Sequence, residues 1–314
     1  MALNYYRKVR TTAKGRWFGK KLREIAEEFP VSARLVSDPE HVITPHDFVE
    51  YELHVHEPPV ADLQLPNSIL YDCPEFLVLN KPSGIPVHPT VNYFYHSITE
   101  MLSQRFGHPF LPCYRLDRLT SGVLVLAKTP QFVAKFIKLP KHKEYFAQVE
   151  TKSVPEALRL KGELTISNPV ITFNAKRGYH RFLDCVKTAK HAETRVELVK
   201  ENRQKGLSTL KVEPVTGRTH QIRKHLALQG MPIHNDEVYF DGGRFKRLCE
   251  DPSEQNFTSL WDHAEESRIA KLTGEQCECG QKLYNRKVPR LDLHCALYKF
   301  GDFEFRAPLP TYFD

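Results

Sequence analysis

The sequence predicts an α+β fold: a mixed, largely antiparallel sheet with interspersed helices, preceded by a small N-terminal module. Three observations predict it. Apolar stretches of strand length recur from Ser68 to the C-terminus, helical spacing appears between them, and the two alternate without the regular β-α-β rhythm of a parallel sheet. At 314 residues the chain has room for about two domains. A chain of this size hides roughly three quarters of its unfolded surface, so a substantial core is expected.

The elements follow in order. Leu22, Ile25, Ala26 and Phe29 recur at helical spacing over 20–29, and Pro30 stops that helix. Residues 42–55 alternate toward a strand that runs into Pro58-Pro59, a stiff pair that reads as a hinge. A boundary is placed there, with an N-terminal extension over 1–59 and a main domain over 60–314. Residues 69–71 and 76–80 read as paired strands around an Asp72-Cys-Pro-Glu turn, and the loop from Lys81 to Pro89 carries three prolines. Ser97 caps an amphipathic helix to Phe106. Val123–Ala127 is a short buried strand after the Thr120-Ser121-Gly122 turn. Further strands are expected at 145–150, 195–199, 208–214, 291–300 and 303–306. Thr219 caps a helix that Gly230 closes. Residues from about 240 to 289 read as a long surface insertion.

Composition narrows the function classes. The chain carries 45 Lys+Arg against 38 Asp+Glu, a net charge of +7 that suits a polyanionic partner. No apolar run approaches the roughly 18 residues of a membrane span, so no membrane association is expected. Seven scattered cysteines do not suggest a disulfide framework and point to reduced thiols inside the cell. Eight Lys/Arg lie between Arg7 and Arg23 with no acid before Glu24. That stretch could address a mitochondrion, but its aromatics Tyr5, Tyr6, Trp17 and Phe18 read better as an RNA-facing arm, which favours cytoplasm or nucleus.

The chemistry concentrates in three strings. Residues 114–128 set Asp117 between Arg115 and Arg118, ahead of a turn and a buried strand. The basic neighbours favour an ionised acid, and a loop on a rigid scaffold is where functional groups gather. Spacing alone, however, favours a surface ion-pair cluster. In residues 143–150, period-2 alternation puts Lys143, Tyr145, Ala147 and Val149 on one strand face, which by itself describes an ordinary edge tyrosine. In residues 214–233, Arg223 and Lys224 follow His220 by three and four positions on a helix whose free amides favour an anion, with Arg218 one turn earlier.

Together these strings resemble the RluA-type pseudouridine synthases. The resemblance covers roughly residues 57–314 and takes in Asn80-Lys-Pro-Ser-Gly84, Lys190-His-Ala-Glu-Thr194, Asn235-Asp236 to Tyr239 and Leu293–Leu297. It implies a catalytic domain of pseudouridine-synthase type, with a helical or S4-like RNA-binding N-terminal extension. It implies Asp117 as nucleophile or base, Tyr145 stacked on the target base, and Arg223 holding Asp117 bidentately. Arg115 would fill the space of a flipped-out uridine, and Lys81, Arg118, Arg218 and Lys224 become candidate phosphate contacts. One departure is Tyr114, where family members usually carry histidine.

The resemblance implies RNA as partner, tRNA ahead of rRNA, and the chain is expected to act as a monomer without cofactor or metal. Cys277-Glu-Cys-Gly280 is a tight turn that could serve a structural zinc with Cys249 or a nearby histidine. His263-Ala-Glu265 with Cys277 and Cys279 only faintly resembles a zinc deaminase, since the cysteine spacing is wrong and no proline precedes them. A plain insertion without metal is the reading adopted. The alternative functions are an RNA-binding protein that retains the fold without catalysis, and a nucleoside-bond hydrolase.

Overall fold

The apolar run after the Asp117 loop becomes an interior strand of the larger part of the chain, buried at every residue from Ser121 to Ala127. The computed structural model describes residues 3–28, 33–35, 38–90, 93–170, 189–240, 247, 250, 255, 272–277, 279, 282–284 and 288–314. Cys185, Cys249, His263 and Glu265 lie outside them, as does most of the expected insertion. Two compact units emerge. One comprises Met1–Val60, Thr90–His96 and Ala270–Lys287; the other Ala61–Pro89, Ser97–Ile269 and Val288–Asp314.

In the first unit, β1 (Leu3–Thr12), β2 (Ala33–Leu35) and β3 (Phe48–Glu57) form an antiparallel sheet in the order β1-β3-β2. From Tyr5 to Thr12 the residues alternate strictly between half-buried and exposed, the period of a one-faced strand. The residue types do not follow that alternation, since Arg7 and Thr11 share the half-buried side with Tyr5 and Val9. The helix expected over 20–29 is a 3₁₀ helix from Leu22 to Glu28. Its Leu22 and Ile25 pack with Trp17, Ile43 and Val49 in a small core. Trp17 is therefore a core residue, 1% exposed, and does not face RNA. Glu57, fully buried, accepts from the Tyr5 hydroxyl (2.5 Å) and from the backbone N–H groups of Tyr95 (2.9 Å) and His96 (2.7 Å), which ties segment 90–96 to β3. The unit also holds a separate two-stranded sheet.

The second unit is built on a ten-stranded mixed sheet. Its strands are β4 (Ile69–Asp72), β5 (Phe76–Lys81), β6 (Leu111–Pro112), β7 (Ser121–Ala127), β8 (Lys141–Glu150), β9 (Glu163–Ile166), β10 (Thr194–Asn202) and β11 (Leu207–Pro214). β12 (Leu272–Gln276) and β13 (Lys282–Tyr284) are the separate pair of the first unit, and β14 (Leu293–Phe300) and β15 (Phe303–Arg306) complete the large sheet. Its order is β4-β5-β7-β14-β8-β11-β10-β9, with β15 on β14 and β6 on β7; the β7–β14 pair is parallel and the others antiparallel. The α+β expectation is met. Among the described residues the unit's α-helices include α1 (Ile98–Phe106), α2 (Pro130–Lys138), α3 (Glu156–Lys161) and α4 (Gln221–Leu228). Among the described residues no helix is long and apolar enough to cross a membrane.

Packing at the middle of this sheet prepares the site. β7 and β14 approach so closely at Gly122 (φ +108°) that an added Cβ would meet the Cys295 carbonyl oxygen at 2.1 Å. Any side chain there would push apart the two strands that flank the Asp117 loop. On α2, the Thr129 hydroxyl accepts from Phe132 N–H (3.2 Å), Pro130 opens the first turn, and Phe132 and Phe136 are buried. Phe76 stacks on Phe132 with centroids 4.6 Å apart, and Phe300 meets both Phe76 and Phe136 edge-on or tilted. Each such buried ring contributes about 1.5–3 kcal/mol.

Candidate active site

Residues 113–120 join β6 to β7, and their course is fixed from two sides. Tyr114 stacks on Tyr298 of β14, centroids 4.2 Å apart and 16° from parallel, while its hydroxyl donates to the Val123 carbonyl. Tyrosine thus anchors the loop through an aromatic face and a hydrogen bond at once. Leu116 and Leu119 are buried on either side of Asp117-Arg118. The loop after β5 holds the other side. Gly84 N–H donates to the Arg118 carbonyl (2.8 Å) and the Ser83 hydroxyl to the Leu119 carbonyl (2.6 Å).

Lys81 completes that clamp, and its position corrects the expectation of a phosphate contact. The side chain is fully buried and its ammonium donates to the carbonyls of Pro82 (2.9 Å), Ile85 (2.8 Å) and Arg118 (3.0 Å). An ammonium has three donors, and all three are spent inside the protein. Burial, then the Arg118 charge, pushes the ammonium down to about 7. Lys81→Met is expected to cost about 2–3 kcal/mol, because it strands buried carbonyls next to the Asp117 loop. Denaturant titration reads this directly, and a variant as stable as the parent would reject the clamp.

Asp117 reaches solvent, with 28% of its side chain exposed, and faces the start of α4. Arg223 Nη1 lies 3.6 Å from Asp117 Oδ2, and His220 Nε2 lies 3.8 Å from Oδ1. The bidentate grip expected of Arg223 goes elsewhere. Its Nε and Nη2 donate to Asp236 Oδ2 (2.7 Å) and Oδ1 (2.8 Å), leaving Nη1 for Asp117. The physical reason is desolvation: a guanidinium only 6% exposed needs a full counter-charge, and the partly solvated Asp117 supplies less than the fully buried Asp236. Burial works to raise the Asp236 carboxyl, but the Arg223 charge and hydrogen bonds and the N–H groups of Tyr239 and Val238 hold it below the usual range.

His220 supplies the third wall. Helix α4 begins one residue later than expected, and His220, not Thr219, is its N-cap, in a left-handed conformation (φ 55°). Its Nδ1 pairs with the Tyr239 hydroxyl at 3.0 Å, and the Arg223 guanidinium lies over the Tyr239 ring. Burial pushes the imidazole down to about 4, so it is neutral at neutral pH. The arrangement offers one accessible carboxylate, oriented by a guanidinium that Asp236 already neutralises, beside an uncharged imidazole. Such a carboxylate can attack carbon or accept a proton.

The remaining expected residues separate into two groups. Tyr145, on β8, is 7% exposed; burial, then the charge interaction and hydrogen bonding with the Cys295 side chain, holds its phenol well above the ordinary value, and the Asp117 charge acts in the same direction. Arg115 is exposed and Arg118 half-buried. Arg218 is exposed, with Nε donating to the His191 carbonyl at 3.1 Å. Lys224 is 2% exposed, which corrects its assignment as a phosphate contact: α4 is buried at every residue from Gln221 to Ala227, so this lysine has no solvent-facing side to offer. His220, Asp236 and Tyr239 are site residues that the sequence reading left out. Asp236 was visible only as part of the Asn235–Tyr239 landmark, and nothing in the sequence marks the burial of Arg223 that calls for a second acid.

A profile of the RNA pseudouridylate synthase family matches residues 75–228. The tRNA pseudouridine(31) synthase of Saccharomyces cerevisiae is 33% identical, over 98% of this chain and 94% of that protein. The mitochondrial tRNA pseudouridine(32) synthase of the same yeast is 31% identical, over 96% and 72%. Human RNA pseudouridylate synthase domain containing 4 superposes with a TM-score of 0.52 at 22% identity, covering 79% of this chain and 91% of that one, a likeness of fold. Fold and relatives together define an RNA-modifying isomerase. The chain belongs to the RluA-type RNA pseudouridine synthases, and it converts uridine in RNA to pseudouridine.

Proposed function

We propose that the RNA is tRNA and that Asp117 is the nucleophile or base of the reaction. The observation that carries the catalytic assignment is the accessible Asp117 carboxylate set 3.6 Å from a guanidinium that a second, buried acid neutralises. The names of the two yeast relatives support tRNA. The uracil C–N glycosidic bond breaks, the base turns, a C–C bond forms at C5, and the C5 proton leaves to water. Carboxylates do comparable work at the anomeric carbon in glycosidases. Tyr145 stacks on the base and assists the last proton removal, and Arg115 occupies the space left by the flipped uridine. The enzyme acts as a monomer, in cytoplasm or nucleus ahead of the mitochondrion, with Arg118 and the exposed Arg218 as its phosphate contacts.

The N-terminal extension over 1–59 is included in this reading as an RNA-binding element. Arg218→Ala is expected to lower RNA affinity and reduce the slope of log affinity against log salt by about 1. An unchanged slope would remove Arg218 from the interface. The reaction itself is tested with C5-tritiated uridine in unmodified tRNA, cytosolic and mitochondrial, beside an Asp117→Ala control. Tritium release by the parent alone supports the reading; release from rRNA but not tRNA overturns the substrate, and release of free uracil would make the enzyme a hydrolase.

A further inference from the structure

Strand β3 and the β12–β13 hairpin meet within the first unit at four side chains that suit one ion. His54 and His56 are two apart on β3, so period-2 geometry sends both rings to the same face. Cys277 and Cys279 lie between the Gln276–Lys282 pair that closes the hairpin. One ligand atom from each of the four, a ring nitrogen or a sulfur, lies within 4.8 Å of every other. His56 Nε2 is 3.2 Å from Cys279 Sγ, and Cys277 Sγ is 3.8 Å from His54 Nδ1. Zinc–sulfur and zinc–nitrogen bonds of about 2.3 and 2.0 Å at tetrahedral angles put sulfur and nitrogen roughly 3.5 Å apart, which these separations bracket.

We propose that His54, His56, Cys277 and Cys279 form a structural zinc site that fastens the β12–β13 hairpin to strand β3. Two thiolates and two imidazoles are a closed donor set that favours zinc over the hard, oxygen-seeking ions. His56 is 6% exposed and both cysteines are half-buried, so the site is set into the unit and is not a surface accident. Tyr6 on β1 stacks flat on His54, centroids 4.5 Å apart and 10° from parallel, which fixes the ring from behind. The hairpin is a sheet of its own, with no ladder hydrogen bonds to β1–β3 among the described residues. An ion shared between the two would supply the missing tie. Among the described residues, the other group at metal-binding distance, His142, Glu144 and Glu213, lies on a partly exposed strand surface with Lys211 on Glu213 at 3.2 Å, as in an ordinary ion-pair network.

The full chain, purified without a metal-affinity step, is expected to carry about one zinc per molecule by elemental mass spectrometry. Exchange for cobalt(II) should give thiolate-to-metal charge-transfer absorption. A Cys277→Ser/Cys279→Ser variant should lose both metal and absorption, whereas Cys73→Ser keeps them. Should the double variant fail to fold, the parent decides alone: its cobalt spectrum reports whether thiolates bind. Zinc below roughly a tenth per chain with no charge-transfer band on cobalt addition would overturn the site. So would a band that survives the double substitution.

Discussion

Asp117→Asn eliminates tritium release from tRNA, by on the order of 10⁴-fold or more, while RNA affinity stays within about threefold of the parent. The amide keeps the shape of the carboxylate and can still meet the guanidinium of Arg223, but it neither attacks carbon nor accepts a proton at neutral pH. Its folding cost is small, because Asp117 is partly solvated and the buried counter-charge of Arg223 is Asp236. Unfolding curves close to the parent's would therefore accompany the loss of turnover. Turnover within a factor of ten of the parent's would move the chemistry to another group, and the neutral His220 imidazole, 3.8 Å away, is the first to test.

Removing the Arg223 guanidinium has a different signature, since stability and activity fall together. Arg223→Met leaves the Asp236 carboxylate buried with only the Val238 and Tyr239 N–H groups, at an expected cost of about 3–5 kcal/mol. Arg223→Met/Asp236→Asn, which removes the stranded charge, should recover most of that stability and none of the activity. A double variant as unstable as the single one would mean that packing, not charge, sets the cost. The pH dependence follows from the depressed native value of Asp236. Its contribution is complete above the ordinary carboxylate value of about 4 and is lost as pH falls below that through the lower native value. Asp236→Asn should flatten this acid limb.

Much of this was legible in the chain. The run from Val123 to Ala127 is apolar at every position because both of its faces are covered, and Asp117 is conspicuous because two arginines and a turn surround it. What could not be read was the third dimension of charge. Lys81 and Lys224 look like any cations near an anionic substrate, and only the fold shows that one clamps three carbonyls and the other lies inside the unit. The Arg223–Asp236 pair joins a helix to a loop through Asn235, whose positive φ reverses the chain at a place no short-range pattern marks. Likewise the burial of Tyr5 to Thr12 alternates cleanly but its residue types do not, and the cations from Arg7 to Arg23 point to an arm where the backbone makes a strand.

The discontinuity of the first unit has a consequence for how the protein comes into being. Residues 1–60 leave the ribosome ahead of the other unit, yet the hairpin assigned to the same unit does not exist until residue 287 has been made. The intervening 61–89 and 97–269 belong to the other unit. Synthesis therefore cannot complete the parts in the order in which they begin: the piece started first is finished among the last, and it waits, incomplete, for most of the catalytic sheet to be translated. A premature stop after residue 260 would thus leave both ends of the chain unfinished at once.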